Sequence, residues 1–106
     1  MSLIDIHTHQ KTGTTTSLRA IYSDFQNLDT DGVYSLGLHP MMVQSYSTSA
    51  IERSYQAMAK KQVWAIGEVG LDKRNKAYWD LQISLFQQQI EIANALQKPL
   101  IIHCVQ

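Results

Sequence analysis

The sequence predicts an α/β fold built on a parallel sheet, and three observations lead to this class. Short apolar runs bounded by polar residues, glycine or proline recur along the chain, as is typical of buried strands. Two longer segments repeat their apolar residues at helical spacing, and these segments alternate with the later apolar runs. Because strands that alternate with helices are usually parallel neighbours joined by helical crossovers, the sheet is predicted to be parallel.

Five segments have the composition of strands. Four are clear apolar runs, at residues 3–7, 33–38, 63–68 and 100–103. The fifth, at residues 17–25, contains Leu18, Ala20, Ile21 and Tyr22 and suits either a short helix or a strand. We favour a strand there.

Two helices are predicted between the later strands. Ser49 and Glu52 have the spacing of a capping box, so the first helix is predicted to begin there. The second helix is predicted over residues 76–97, where a wide apolar stripe indicates that it packs on more than one neighbour.

The composition excludes several classes of protein. The 106 residues carry nine basic and nine acidic side chains, and a formal net charge of +0 gives no overall attraction to nucleic acid or anionic lipid. Cys104 is the single cysteine, which excludes an internal disulfide and favours a reducing, cytoplasmic setting. No signal peptide and no apolar run of membrane-spanning length is visible, so we expect no contact with a membrane.

The last predicted strand lies at the end of the chain, which leaves its far edge without a neighbour. An uncovered hydrophobic edge strand is normally covered or closed into a barrel. We therefore expect residues 1–106 to form a single truncated domain. The alternatives are a short form that self-associates through residues 100–104 or through the outer faces of the helices, and a domain that another polypeptide completes.

All four histidines follow predicted strands, at the edge of the sheet where parallel α/β proteins build their active sites. His7 and His9 are two residues apart, and the alternation of a strand turns both to one side, as a shared metal requires. The alternative for this pair is one buried, hydrogen-bonded histidine and one exposed histidine.

Glu68 ends an apolar strand between two glycines, and a carboxylate in such a place needs a cationic partner. That partner is either a metal ion or a basic side chain such as Lys73 or Arg74. His103 is, in the same way, either a metal ligand or a hydrogen-bonded histidine of the core. Together, these imidazoles and the carboxylate make a nitrogen and oxygen donor set that suits Zn, Mn, Fe or Co.

The motifs as a group resemble the TatD-like metal-dependent hydrolases. They are, in order, Asp5-Ile6-His7-Thr8-His9, Gly37-Leu38-His39-Pro40, the segment 65–72 with Glu68 and Asp72, the set Gln82, Phe86 and Gln89, and the segment 98–103 that ends in His103. The resemblance covers nearly the whole chain but only the first part of the family's (β/α)8 barrel. It implies that the chain supplies about five strands of such a barrel.

The resemblance also implies roles for individual residues. His7 and His9 correspond to metal ligands of the first strand, Glu68 to the catalytic carboxylate that bridges two metals, and His103 to a ligand of the second metal. His39 and Asp72 correspond to positions in the substrate pocket. The family's later histidine and aspartate ligands would follow Gln106, and the implied cofactors are divalent metals such as Zn, Mg or Mn, two of them in a complete barrel.

The implied activity is hydrolysis of phosphodiesters by metal-activated water, as in a deoxyribonuclease that acts on DNA ends. Two alternatives stay open at this point. One is a metal-dependent hydrolase of amides or other esters, which shares the ligands, and the other is a catalytically inactive metal-binding or assembly module.

Overall fold

The computed structural model describes residues 18–103, which form a four-stranded parallel sheet with two α-helices. The strands are β1 (Leu18–Ile21), β2 (Val33–Leu36), β3 (Val63–Gly70) and β4 (Leu100–His103). They lie side by side in chain order, and each neighbouring pair is parallel. The α/β class and the strand over the ambiguous segment 17–25 are therefore confirmed, whereas the strand predicted at 3–7 lies outside the described residues.

The helices connect β2 to β3 and β3 to β4, as the sequence predicts. They are α1 (Thr48–Met58) and α2 (Trp79–Leu96), and each is preceded by a 3-10 segment, Pro40–Ser45 or Lys73–Tyr78. Neither α-helix is apolar over enough of its length to cross a bilayer, and the search covered the residues that the structure describes.

The predicted helix starts were wrong by two or three residues. Ser47, not Ser49, caps α1, because the Ser47 hydroxyl accepts a hydrogen bond from the Ala50 backbone N–H at 3.1 Å. Ser49 lies inside the first turn and accepts from Arg53 Nη1 instead. The second α-helix begins at Trp79 rather than Lys76, because the preceding residues adopt the tighter 3-10 conformation with a kink at Asn75.

The hydrophobic core lies between the sheet and the two helices. Its members are apolar side chains from every part of this layer, and they include Tyr34, Leu36, Leu38, Val43, Ala57, Met58, Val63, Ile66, Val69, Leu85, Ala93 and Leu100. Burial of each large aliphatic side chain contributes roughly 1.5–3 kcal/mol of hydrophobic free energy. The core therefore holds the carboxyl ends of the central strands in fixed relative positions.

Two glycines let the strand ends approach one another closely. A Cβ atom on Gly37 would lie 2.8 Å from the backbone carbonyl carbon of Gly67, and one on Gly67 would lie 2.6 Å from the carbonyl oxygen of Ile101. Gly67 also has a φ of +155°, which side chains rarely allow. Larger residues at either position would push apart the three chain segments that carry His39, Glu68 and His103.

A bulge in β3 gives Glu68 its direction. Gly67 pairs with Ile101 of β4 and Val69 pairs with Ile102, so Glu68 is an extra residue without a partner in that strand. A bulge redirects the side chain that it inserts and is frequent beside active sites. The side chain of Glu68 therefore does not follow the alternation of side chains along β3. It lies at the edge of the sheet where His39 and His103 also lie.

Candidate metal centre

Three of the predicted site residues come together at the carboxyl edge of the sheet. His39 follows β2, Glu68 occupies the bulge of β3, and His103 ends β4. One donor atom from each lies within 4.8 Å of those of the other two, so the three side chains could hold one metal ion. The structure therefore brings together side chains that are 29 to 64 residues apart in the sequence, by subtraction of their numbers.

The distances between these atoms fit a metal-sized space. Glu68 Oε1 lies 3.1 Å from His103 Nδ1 and 3.6 Å from His39 Nε2. Two nitrogen or oxygen ligands of a tetrahedral zinc ion lie roughly 3.3 Å apart, given metal–ligand bonds of about 2.0–2.1 Å. The Glu68 side chain is 37% exposed, whereas those of His39 and His103 are 17% and 12% exposed, so the site opens to solvent on the Glu68 side.

Asp72 determines which nitrogen of His103 faces Glu68. Asp72 Oδ2 lies 2.9 Å from His103 Nε2, and a carboxylate at this distance accepts a hydrogen bond from the ring N–H. The neutral ring then has its lone pair on Nδ1, the atom next to Glu68. A carboxylate behind a histidine is the usual means of orienting a metal-binding imidazole.

Asp72 is itself fixed by its neighbours. Its side chain is fully buried and receives hydrogen bonds from Arg74 Nε and from Arg74 Nη2 at 2.6 Å. The Arg74 guanidinium holds the pKa of the Asp72 carboxyl well below its usual range, so this carboxyl is ionised at neutral pH. Asp72 therefore lies behind His103, and Arg74, considered above as a partner of Glu68, pairs with Asp72 instead.

His39 differs from His103 in the hydrogen bond that its ring makes. Its Nδ1 accepts from the Met41 backbone N–H at 3.1 Å, so the proton of the neutral ring is on Nε2. Burial, and after it the charge of His103, lowers the pKa of His39, which favours the neutral ring. The Nε2–H of His39 points toward Glu68, and in this state His39 is a hydrogen-bond donor and has no lone pair there for a metal.

Aromatic rings enclose His39 from two sides. The ring of Tyr22 packs edge-to-face on it with centroids 5.1 Å apart, and the ring of His103 does so at 4.5 Å. Burial, and after it the charge of Glu68, raises the pKa of Tyr22, so its hydroxyl stays protonated. Tyr46 adds a polar contact, because its hydroxyl accepts from the His39 backbone N–H at 3.4 Å.

Two buried glutamines of α2 support the site from below. Gln82 Oε1 accepts from the Asp72 backbone N–H at 2.7 Å, and Gln82 Nε2 donates to the Asn75 carbonyl at 2.8 Å. Gln89 Oε1 accepts from the Leu38 backbone N–H at 2.8 Å. Both glutamines belong to the sequence motifs described above, which gave them no role, and the signal in the sequence was their polar character on an otherwise apolar helix face.

His7 and His9, the two predicted ligands of the first strand, lie outside the described residues. Their part in a metal site stays a prediction. Among residues 18–103, Glu68 and Nδ1 of His103 have lone pairs available to a metal, and a tetrahedral or larger coordination shell has room for more ligands.

Comparison with known protein families gives a match over nearly the whole chain. The sequence model of the TatD related DNase family matches residues 6–106, a range that contains all the predicted site residues. The chain belongs to this family.

TatD relatives resemble the chain over about two thirds of its length. A human protein named 3′-5′ RNA nuclease TATDN2 is 36% identical over 72 residues, which is 66% of this chain and 10% of the relative. A 3′-5′ ssDNA/RNA exonuclease TatD from Pantoea sp. (strain At-9b) is 36% identical over 69 residues, which is 64% of this chain and 26% of the relative. The chain thus covers only 10% to 26% of the length of these proteins.

A solved TatD structure has the same fold. The crystal structure of the TatD homolog YjjV from Escherichia coli K12 superimposes with a TM-score of 0.60 at 32% identity, over 67% of this chain and 29% of that one. The curated description of YjjV is an uncharacterized metal-dependent hydrolase. The prediction that this chain has the fold of one part of a TatD barrel is therefore confirmed.

Proposed function

We propose that this chain supplies part of the active site of a metal-dependent phosphodiesterase, which removes nucleotides from the ends of single-stranded nucleic acid. The observation that supports the proposal most strongly is the cluster of Glu68, His103 and His39 at the carboxyl edge of the sheet. The printed names of two relatives, a 3′-5′ RNA nuclease and a 3′-5′ ssDNA/RNA exonuclease, support this choice of substrate.

Glu68 and His103 are the residues of the described chain that would hold a metal ion, with His7 and His9 as additional ligands. Their oxygen and nitrogen donors suit Zn or Mn, and a second ion is expected where later ligands complete the site. A divalent metal would supply Lewis acidity and would lower the pKa of a water molecule, so that hydrolysis needs no nucleophilic side chain of the protein.

His39 acts on the substrate rather than on the metal in this proposal. Its proton is held on Nε2 because Met41 donates to Nδ1, so the ring presents an N–H beside Glu68. A non-bridging oxygen of a phosphodiester near Glu68 would accept this hydrogen bond. His39 thereby orients the phosphate and stabilises negative charge that builds up on it.

Asp72 and Gln82 keep His103 in its orientation. Asp72 accepts from His103 Nε2, and Gln82 holds the Asp72 backbone from α2. Catalysis depends on such positioning, because small displacements of reacting groups cost large factors in rate.

A comparison of substrates tests the proposal. The complete protein, given a 5′-labelled single-stranded oligonucleotide and Mg, Mn or Zn, is expected to shorten it from the 3′ end, and EDTA is expected to stop the reaction. Glu68→Gln removes the charge of a proposed metal ligand, so it should lower the rate by more than about tenfold. Glu91→Gln, an equivalent change at an exposed glutamate of α2, should have no effect.

Three results would contradict the proposal in different ways. Hydrolysis of carboxylic esters or amides with no cleavage of oligonucleotides would assign the site to the alternative hydrolase class. Metal binding without hydrolysis of any of these substrates would indicate an inactive binding module. Equal effects of the changes at Glu68 and Glu91 would remove Glu68 from the reaction.

The state of the isolated 106-residue chain is a separate proposal. We propose that residues 1–106 are the first part of one hydrolase domain in the cytoplasm, and that this part alone self-associates through β4, the outer strand of the described sheet. Ile102 of β4 is 37% exposed, which supports an apolar contact there. Light scattering is expected to give a multiple of 12.0 kDa, and a monomer of that mass would contradict self-association.

A further inference from the structure

A short segment beside the site concentrates positive charge. Lys73, Arg74 and Lys76 are three of the nine basic residues of the chain, and they lie within four consecutive positions of the 3-10 segment Lys73–Tyr78. All three are exposed, on a chain whose formal net charge is +0. We refer to the whole 3-10 segment Lys73–Tyr78 as the cationic segment. Its three cations produce a local positive potential on a protein without net charge.

The cationic segment starts at the candidate metal centre. Asp72, the residue immediately before it, is hydrogen-bonded to His103 Nε2 at 2.9 Å. Arg74 pairs with the same carboxylate through Nε and Nη2, and its remaining nitrogen, Nη1, has no partner among residues 18–103. A negatively charged chain that leaves the centre on this side meets these cations first.

The backbone of the cationic segment is fixed in place. Asn75 Nδ2 donates to the Pro40 carbonyl and to Gln44 Oε1, both at 2.9 Å, which ties the segment to the 3-10 segment Pro40–Ser45. Gln82 Nε2 donates to the Asn75 carbonyl from α2. A surface that is already ordered loses less conformational entropy when a ligand binds.

The cationic segment ends in an exposed aromatic ring. Tyr78 is 44% exposed and directly precedes α2. Cations that contact phosphates, together with an aromatic ring on which a base stacks, are the features that bind single strands without reading their sequence. A duplex would offer its phosphates to the lysines but no unpaired base to Tyr78.

We propose that the cationic segment binds the single-stranded nucleic acid next to the metal centre, with Lys73, Arg74 and Lys76 on successive phosphates and Tyr78 against a base. The proposal rests on the proposed function, since it names the surface that the substrate of that site would follow. It also explains how a chain without net charge binds a polyanion, because attraction is confined to the place where the strand enters.

The test measures binding without catalysis. The complete protein is titrated in EDTA against a fluorescent single-stranded 10-mer between 50 and 200 mM KCl, and the dissociation constant is read from anisotropy. Lys73→Gln combined with Lys76→Gln should reduce the slope of log affinity against log salt by about 1.4, since each phosphate contact on a single strand contributes about 0.7. Tyr78→Ala should weaken binding by on the order of tenfold at every salt concentration.

Lys60→Gln combined with Lys61→Gln is the matched control. These exposed lysines lie between the end of α1 and the start of β3, at the opposite edge of the sheet, and the double change removes the same charge. It is expected to leave the salt slope unchanged. All the altered lysines are exposed, so each variant is expected to fold. A thermal melt of each variant checks this.

The binding results test the cationic segment, and they do so independently of whether the metal centre hydrolyses phosphodiesters. An unchanged slope for the Lys73 and Lys76 variant, or an equal change for the control, overturns it. The same titration is made with a duplex 10-mer. If Tyr78→Ala weakens duplex binding as much as single-strand binding, the stacking contact is overturned. Should no phosphodiester be hydrolysed while these binding effects appear, the proposed function fails and the binding surface remains.

Discussion

Residues 18–103 contain two Arg–Asp pairs that differ mainly in the burial of the aspartate. Arg19 Nη1 lies 3.1 Å from Asp29 Oδ2 near the β1 edge, with side chains that are 59% and 71% exposed. Arg74 Nη2 lies 2.6 Å from Asp72 Oδ2 beside the metal centre, with side chains that are 60% and 0% exposed. The arginines are equally exposed, so the contrast isolates the environment of the carboxylate.

The difference shows that the ordered side-chain hydrogen bonds lie around the aspartate beside the metal centre. The exposed pair is weakened by water and salt, and its one further side-chain contact is that of Arg19 with the Tyr34 ring, whose centroid is 5.9 Å away among the described residues. Asp72 is surrounded by hydrogen bonds, and in turn it orients His103. The charged pair near the site therefore matters through the residues that it positions, and its removal should have effects that its counterpart at β1 does not have.

The largest loss of stability is expected when Gln82, which hydrogen-bonds the backbone of Asp72, is replaced. Gln82→Leu leaves the Asp72 N–H and the Asn75 carbonyl without their partners in a buried place, which should lower the free energy of unfolding by about 2–4 kcal/mol. Urea denaturation measures this. Gln87→Leu, at an exposed position of the same helix, should change the value by less than about 0.5 kcal/mol, and equal losses would contradict the account.

The buried pair should make the stability of the protein depend on pH. Because Arg74 holds the pKa of Asp72 well below its usual range, the folded protein keeps this carboxyl ionised while the unfolded chain takes up a proton below about pH 4. Its contribution to stability is therefore present above that pH and is lost as the pH falls. Asp72→Asn should therefore flatten the fall in stability between pH 4 and 2, as measured by urea denaturation at each pH. A fall as steep as that of the wild type would contradict this role of Asp72.

Lys98, at the other end of β4 from His103, also makes charged hydrogen bonds to the backbone. Lys98 Nζ donates to the Met58 and Lys60 carbonyls at the end of α1, and burial lowers the pKa of its ammonium group. Lys98→Met should lower the free energy of unfolding by about 1–2 kcal/mol, because both carbonyls lose a charged donor. Lys61→Met is the exposed control, and an equal result for the two would show that Lys98 has no capping role.

The smallest effect is expected at the β1 edge. Arg19→Ala should change the free energy of unfolding by no more than about 0.5 kcal/mol, as is usual for exposed ion pairs. Its effect should also vanish in 1 M salt. A loss above 1 kcal/mol in urea denaturation would show that exposure does not separate the two pairs.

The sequence was sufficient for the elements whose signal is local. The apolar runs predicted β2, β3 and β4, and the helical spacing predicted α1 and α2, because burial of one face imposes those periods. The ends of the helices were harder. Ser47 and Ser49 are equally good caps as residue types, and only the backbone shows which of them lies outside the first turn.

The site was predicted as a set of residues but not as an arrangement. His39, Glu68 and His103 meet as the rule for parallel sheets suggests, while the bulge that turns Glu68 depends on pairing with a strand more than thirty residues away. The tautomer of His39 depends on a backbone N–H of Met41, and the position of the Asp72 backbone depends on Gln82. Such contacts between distant residues leave no periodic pattern in one sequence.

The most direct test of the metal centre is a crystal structure of the complete protein grown with zinc and measured at the zinc absorption edge. The account predicts an anomalous peak about 2.0–2.2 Å from Glu68 and from His103 Nδ1, with His39 Nδ1 still accepting from Met41. A peak bonded to His39 Nε2, with that hydrogen bond broken, would contradict the assignment of His39 as a donor. A zinc-treated crystal without a peak at Glu68 and His103 would contradict the metal centre itself.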